Sequence, residues 1–197
     1  MNAVDFLLNK YIPFDDLERT DIEKFRKFVS EYNGNIFDRT PGQPTITASA
    51  FVVNPNFTKT LIMHHKIHGF YKQFGGHADG NPNLASVATA ELFEESGTKG
   101  QIVQTDPIDI IRWNFPERTK NDIFYPAHDC FDIAFLFIVN ELEKLKINKN
   151  EVIDTKWEML ETWRDYSPDN ITYKTNPQNF DYQQRMYKKV KLAHKSL

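Results

Sequence analysis

The chain has 197 residues, 40% of them hydrophobic and 14% aromatic, enough to bury a core within one domain and too apolar for a disordered polymer. Its formal net charge of -3 gives no global field to draw in nucleic acid or an anionic membrane, so an anionic ligand must be held locally, by a cation or a small basic patch. The single cysteine, Cys130, excludes an intrachain disulfide and a cysteine-built zinc site, and fits a reducing cytoplasm.

The opening MNAVDFLLNKYIP lacks a basic region ahead of its short apolar run, and the longest apolar run, residues 133–139, is far too short to span a bilayer. A soluble cytoplasmic protein is expected. In residues 14–32, Leu17, Ile22, Phe25, Phe28 and Val29 fall near helical spacing between charges, which predicts an amphipathic helix. Residues 33–44 carry Gly and Pro punctuation and read as a linker. TITASAFVV (45–53) and KTLIMHH (59–65), separated by a turn at Asn54-Pro55-Asn56, read as paired strands. Beyond residue 100, QIVQTDPIDIIRW and CFDIAFLFIVNEL read as strands, the second apolar enough to be central and covered on both faces. KWEMLETW reads as a short strand turning into a helix. The tail, 176–197, spaces Phe180, Met186, Tyr187, Val190 and Leu192 as a closing helix, with Lys188, Lys189, Lys191 and Lys195 on its solvated face. The class is α/β (α+β), with residues 1–44 as an N-terminal helical extension packed on a main domain of residues 45–197.

The most informative segment is GGHADGNPNLASVATAELFEESGT, residues 75–98. It predicts a helix capped by Asn81, with Pro82 in its first turn and Gly97 ending it in the left-handed conformation. Leu84, Val87 and Ala88 then share a face with Glu91, Glu94 and Glu95. Like charges at these spacings cost ~0.2–0.5 kcal/mol per pair, and carboxylates in the last turns oppose the helix dipole by a further ~0.3–1 kcal/mol. Local rules broken in this way point to a functional site. A hard divalent cation, Mg²⁺ or Mn²⁺, is the simplest compensation, with a solvated acidic face as the alternative. Gly75, Gly76 and Gly80 bracket His77-Ala78-Asp79 in a turn whose backbone can approach a metal or phosphate closely.

The same residues resemble the signature of the Nudix hydrolases: glycine, five residues, glutamate, seven residues, then Arg-Glu-aliphatic-x-Glu-Glu-x-Gly-aliphatic. Gly76 falls on the first glycine, and Glu91, Leu92, Glu94, Glu95 and Gly97 match in register. The resemblance extends to the His-rich strand leading into Gly-Gly-His-x-Asp-Gly, to HDCFDIAFLF (128–137) and to EVIDTKWEML (151–160), so most of the chain is covered. Three positions depart from the pattern. Pro82 stands at the first glutamate and Ala90 at the arginine, and Cys130 stands where the resembled subgroup tends to carry a second histidine.

The resemblance implies a Nudix-type α/β/α sandwich with a mixed sheet and hydrolysis, with Mg²⁺ or Mn²⁺, of a pyrophosphate bond in a nucleoside diphosphate joined to another group. It implies that Glu91 and Glu95 bind metal, with the Gly76 carbonyl, and that Glu94 binds a second metal or a metal-bound water. Glu151 is the candidate distal ligand or general base. His77, Asp79, His128 and Asp132 are the candidate substrate contacts, and a homodimer is also implied. The joint loss of charge at positions 82 and 90 raises a second reading, a weakened or non-catalytic nucleotide-binding module. A third, a diphosphate isomerase on the same fold, is disfavoured by the lack of a Cys/Glu pair beyond Cys130. His64 and His65 point to opposite faces of a strand, so a zinc site shared with His68 is not expected. Tyr71, Phe74, Trp113 and Phe115 are more simply core than base-stacking platforms. No P-loop motif occurs, and nucleic-acid binding by the tail lysines is not expected.

Overall fold

The computed structural model describes residues 3–120, 123–165 and 177–197. Two helices open it, α1 (Ala3–Lys10) and α2 (Asp16–Glu31). α2 starts where the Asp15 side chain accepts from the Glu18 backbone N–H at 2.8 Å, and it buries Ile22 and Phe25, three residues apart on one face. The strands β1 (Thr45–Val53) and β2 (Lys59–His65) follow, with the bounds expected from their β-branched runs. Then come β3 (Tyr71–Lys72), β4 (Phe74–His77), α3 (Leu84–Ser96), β5 (Gln101–Ile102) and β6 (Asp109–Phe115). A small hairpin of β7 (Arg118–Lys120) and β8 (Ile123–Tyr125) precedes β9 (His128–Ile138), β10 (Val152–Met159), α4 (Leu160–Arg164) and α5 (Pro177–Lys195).

The main sheet is mixed and eight-stranded, with the path β10-β2-β1-β9-β5, and with β3 on β2, β4 on β1 and β6 on β9. β9 runs parallel to β1 along the full length of β1, from Thr45 opposite Cys130 to Val53 opposite Ile138. Apart from its first two residues and its last, β9 is buried, as its unbroken apolar run requires of a strand covered on both faces. On one face α1, α2 and α3 cover Ile46, Ala48, Ala50, Phe131, Ile133 and Phe135. On the other, α4 and α5 cover Phe51, Val53, Ile62, Ile111, Ala134 and Leu136. Helices therefore sandwich the sheet, and alternate residues of β1 and β9 feed two separate cores.

β6 is an edge strand, and α2 satisfies its outward backbone N–H groups. Glu18 accepts from Ile110 N at 3.1 Å and Asp21 from Arg112 N at 3.2 Å, in place of another strand. The same edge corrects the sequence reading of the tail. Lys189, expected on a solvated face, is only 8% exposed and donates to Glu18 at 2.5 Å, Asp109 at 2.7 Å and the Tyr11 hydroxyl at 2.9 Å. Arg185 holds the other side of Asp109 through Nε and Nη2 at 2.8 and 2.9 Å. The tail's Met186 and Val190 are buried as expected, Leu192 is exposed, and the side chain of Phe180 lies outside the described residues. No helix among the described residues is long and apolar enough to cross a membrane.

Candidate metal and diphosphate site

The site forms where two strands part. β1 and β2 pair only at Val52–Leu61 and Val53–Thr60; beyond that point the segment 71–77 enters the gap, Tyr71 and Lys72 pairing with β2 and residues 74–77 with β1. This insertion places Gly75 and Gly76 beside β1 and under α3. A Cβ on Gly75 would lie 2.7 Å from Ala48 O and Ser49 Cα, so only glycine fits against the β1 backbone. A Cβ on Gly76 would lie 2.0 Å from Glu91 Oε1, because the Glu91 carboxylate rests on that glycine. Gly75 N donates to Glu95 Oε2 at 2.9 Å. The backbone of the glycine pair thus touches both carboxylates.

α3 begins later than the sequence suggested. Asn83, not Asn81, is the cap, accepting from Ser86 N at 3.1 Å, while Pro82 lies ahead of the helix. Asn81 instead accepts from Asn83 N at 2.9 Å and braces Ser86 Oγ, a local Asx turn that competes with helix and delays its start. Gly97 ends the helix at φ +75°, as expected. The Leu84–Val87–Ala88 stripe is buried and continues through Leu92 to Glu95, which is 2% exposed, whereas Glu94 is exposed.

Burial pushes the Glu95 carboxyl up to about 7, with Glu91 and Glu151 adding to the rise and Lys72 opposing it. Glu91 is also raised, first by burial and then by Glu94 and Glu151. Glu151, exposed and 56 residues beyond Glu95 in sequence, is brought near by backbone bonds at the end of α3. Lys146 N donates to Ser96 O at 2.8 Å and Asn148 N to Glu95 O at 3.2 Å, satisfying helix-end carbonyls, and Glu151 N then donates to Asn148 O at 3.1 Å.

Of the four candidate substrate contacts, Asp79 and His128 lie within electrostatic reach of His77. His77 and Asp132 lie opposite Thr47 on its two sides, and the Asp132 carboxylate accepts from Thr47 Oγ1 at 2.7 Å and Ser49 Oγ at 2.6 Å. Asp132 alternates with Phe131 and Ile133, which pack under the α3 layer, so it faces the α5 side, where Tyr182 donates to Gln73 at 3.1 Å. His77 is pushed down to about 4, by burial and then by Arg39. His128 bonds Pro126 O through Nδ1 at 2.9 Å and stacks on Phe115. Asp79 is exposed, at φ +45°, and holds a two-point ion pair with Arg39.

Among the aromatics, Phe74 is core, Tyr71 stacks with His64, and Trp113 meets Tyr182 edge-on. Cys130 is buried beside Thr47, its thiol pushed up to about 11 by burial. Two cations escaped the sequence reading. Lys72 pulls down the carboxyls of Glu91, Glu95 and Asp132, and Arg39 interacts with Glu91. Lys72 follows from the strand insertion, and no sequence signal marked either residue.

Among the described residues, no three His, Cys, Asp or Glu side chains close on a common point to hold an ion by themselves. The donor set still fits a small hard cation. Mg²⁺ binds through one or two carboxylates, keeps several waters and takes its remaining ligands from substrate phosphates. Glu91 and Glu95 supply the carboxylates, their mutual repulsion and burial are what a cation would relieve, and the Cβ-free Gly76 leaves the approach open.

No protein-family model and no curated protein matches the sequence. The fold does match solved structures. A hydrolase of the NUDIX family from Clostridium perfringens aligns at TM-score 0.54 and 17% identity, over 75% of this chain and 97% of that one. A C. elegans Ap4A hydrolase, solved as a binary complex, aligns at 0.53 and 12% identity, over 78% and 99%. The fold is that of the Nudix hydrolases. The E. coli dihydroneopterin triphosphate pyrophosphohydrolase aligns at 0.50 and 9% identity, over 66% of this chain and 90% of that one.

Proposed function

We propose that the protein is a divalent-metal-dependent Nudix hydrolase that cleaves a pyrophosphate bond in a nucleoside diphosphate linked to another moiety. The observation that carries this reading is the Glu91–Glu95 pair, two raised carboxyls one helical turn apart, both in contact with the Gly75–Gly76 backbone. In this reading Glu91, Glu95 and the Gly76 carbonyl hold Mg²⁺ or Mn²⁺, which when bound neutralises the diphosphate and polarises a phosphoryl oxygen. Glu94, exposed on the next face, reaches a second ion or its water. Glu151 takes the proton of the attacking water. Lys72, whose charge already acts on both glutamates, stabilises charge on the diphosphate. His77, Asp79 and His128 contact the rest of the substrate, and Asp132, buried on the α5 side, supports β1 through Thr47 and Ser49.

Product release from a panel of nucleoside diphosphate derivatives, with and without Mg²⁺ or Mn²⁺, tests this. Ap4A and dihydroneopterin triphosphate join the panel because two structural neighbours bear those names. Turnover that requires the metal and falls at least ~10²-fold in Glu95→Gln supports the hydrolase, a loss of the size seen when one charge-stabilising group is removed. A second reading, a non-catalytic nucleotide-binding module, is favoured by the uncharged Pro82 and Ala90. Nucleotide binding by calorimetry without turnover across the panel would select it.

A further inference from the structure

The segment 33–44, read from sequence as a linker, is built into the site. Ile36 and Phe37 are buried in the core under α3. A turn closes behind them, with Asp38 N on Asn35 O at 3.0 Å and Asn35 Nδ2 on Asp38 Oδ1 at 2.9 Å. Phe37 O accepts from Gly80 N at 3.0 Å, and a Cβ on Gly80 would sit 3.3 Å from Asp38 Oδ1. The turn is therefore docked against the end of the glycine loop. From it Arg39 reaches Asp79 with Nε and Nη2, one to each carboxylate oxygen.

Asp79 sits at φ +45°, in the left-handed region that Asp adopts more readily than most non-glycine residues, and this turn aims its carboxylate at Arg39. Its neighbours are bonded on both sides, Ala78 N to Ile46 O at 3.0 Å and Gly80 N to Phe37 O at 3.0 Å. Pro82 and Ala90 carry no charge, so those positions cannot tie the loop to α3 by an ion pair. Arg39 and Asp79 are 56% and 53% exposed, so their ion pair adds little to folding, while its forked geometry fixes orientation. The guanidinium also lies within electrostatic reach of Glu91 and His77, at the rim of the carboxylate site.

We propose that Arg39 is a positioning residue of the metal site: by clamping Asp79 it holds the Gly75–Gly80 loop where Glu91 seats, and so sets the affinity for a divalent cation. The inference rests on the cation reading of Glu91 and Glu95. It makes the N-terminal segment part of the site, through a partner outside the glycine loop and α3.

The test is Mn²⁺ binding to the full chain without substrate, read by calorimetry and by electron paramagnetic resonance of free Mn²⁺. Arg39→Ala and Asp79→Asn, the latter keeping a residue suited to φ +45°, should each weaken Mn²⁺ about 10–100-fold, the range for residues that orient metal ligands. Arg39→Lys should recover only part, because a point charge lacks the fork. The double variant should be no weaker than either single one, since both remove one clamp. Thermal melting should stay near wild type in all of them. Arg39→Ala binding Mn²⁺ within about 2-fold of wild type, or losses that multiply in the double variant, would overturn the clamp while Glu95→Gln still abolishes binding. Equal Mn²⁺ binding by wild type and Glu95→Gln would instead overturn the cation reading, and this inference with it.

Discussion

Replacing Lys189 by methionine should cost far more than replacing a surface lysine. The apolar stem is nearly kept, so the main perturbation is the loss of one buried ammonium shared by Glu18 and Asp109, each 0% exposed. Asp109 keeps both Arg185 bonds, at 2.8 and 2.9 Å. Glu18 keeps its neutral donors, the Tyr11 hydroxyl at 2.6 Å, Phe14 N at 2.7 Å and Ile110 N at 3.1 Å, but loses its countercharge beside another carboxylate. Removing one partner of a buried pair costs ~3–5 kcal/mol, and the lower end applies because only one carboxylate is stranded.

Proton uptake limits the loss and gives it a pH signature. The Glu18 carboxyl is already raised from its usual value near 4.5, by burial and then by Asp109, with Lys189 opposing the rise. Without Lys189 it rises further, so the folded variant binds a proton that the unfolded chain releases at lower pH. Its stability deficit relative to wild type is therefore full at pH above the variant's raised folded value and shrinks as pH falls toward the wild type's own, less raised value. Urea unfolding followed by tryptophan fluorescence should show a deficit of ~3 kcal/mol at pH 7.5 that is smaller at pH 5. Glu18→Gln in the Lys189→Met background should recover most of it. A deficit below ~1 kcal/mol at pH 7.5, the value for an exposed pair, would refute the buried network.

Other outcomes follow from single residues. Gly76→Ala should fold, because its Cβ meets the movable end of Glu91, yet it should lose Mn²⁺ affinity in calorimetry by ~10-fold or more. Gly75→Ala should instead destabilise the chain by ~1–3 kcal/mol in urea, because its Cβ meets β1 backbone at 2.7 Å. His65, pushed down to about 4 by burial and then by Lys72, accepts from Ile67 N and His68 N through Nδ1, so it is neutral at pH 7. Its depressed value means that the unfolded chain takes up the proton first, so stability falls as pH drops from 6.5 toward 4. An NMR-titrated value above 6 for His65 would contradict this. Cys130, with its thiol pushed up to about 11, should resist a disulfide reagent at pH 8 until the chain unfolds, whereas prompt labelling of native protein would show the burial wrong.

How far the sequence could be read follows the range over which each signal acts. β1, β2 and the end of α3 were legible because strand alternation and a left-handed glycine are local, and Glu91 and Glu95 were legible because one helical turn separates them. The helix start was misplaced by two residues because Asn81 accepts from Asn83 N in a local turn, leaving Asn83 to cap the helix by accepting from Ser86 N. Glu151 comes within electrostatic reach of Glu91 and Glu95 because α3 must have its last carbonyls satisfied, and the loop that does so carries that residue. Lys189 was read as solvated because helical spacing identifies an apolar stripe but not an edge strand lying beyond it. Only the folded sheet shows that β6 leaves backbone N–H groups facing outward, that α2 answers them with Glu18 and Asp21, and that a buried Glu18 then requires a cation from α5. Each charge in that chain exists to satisfy the one before it, and none of the three segments carries the pattern alone. The same holds at the glycine loop, where the partner of Asp79, Arg39, comes from residues 33–44, which composition marks only as a spacer.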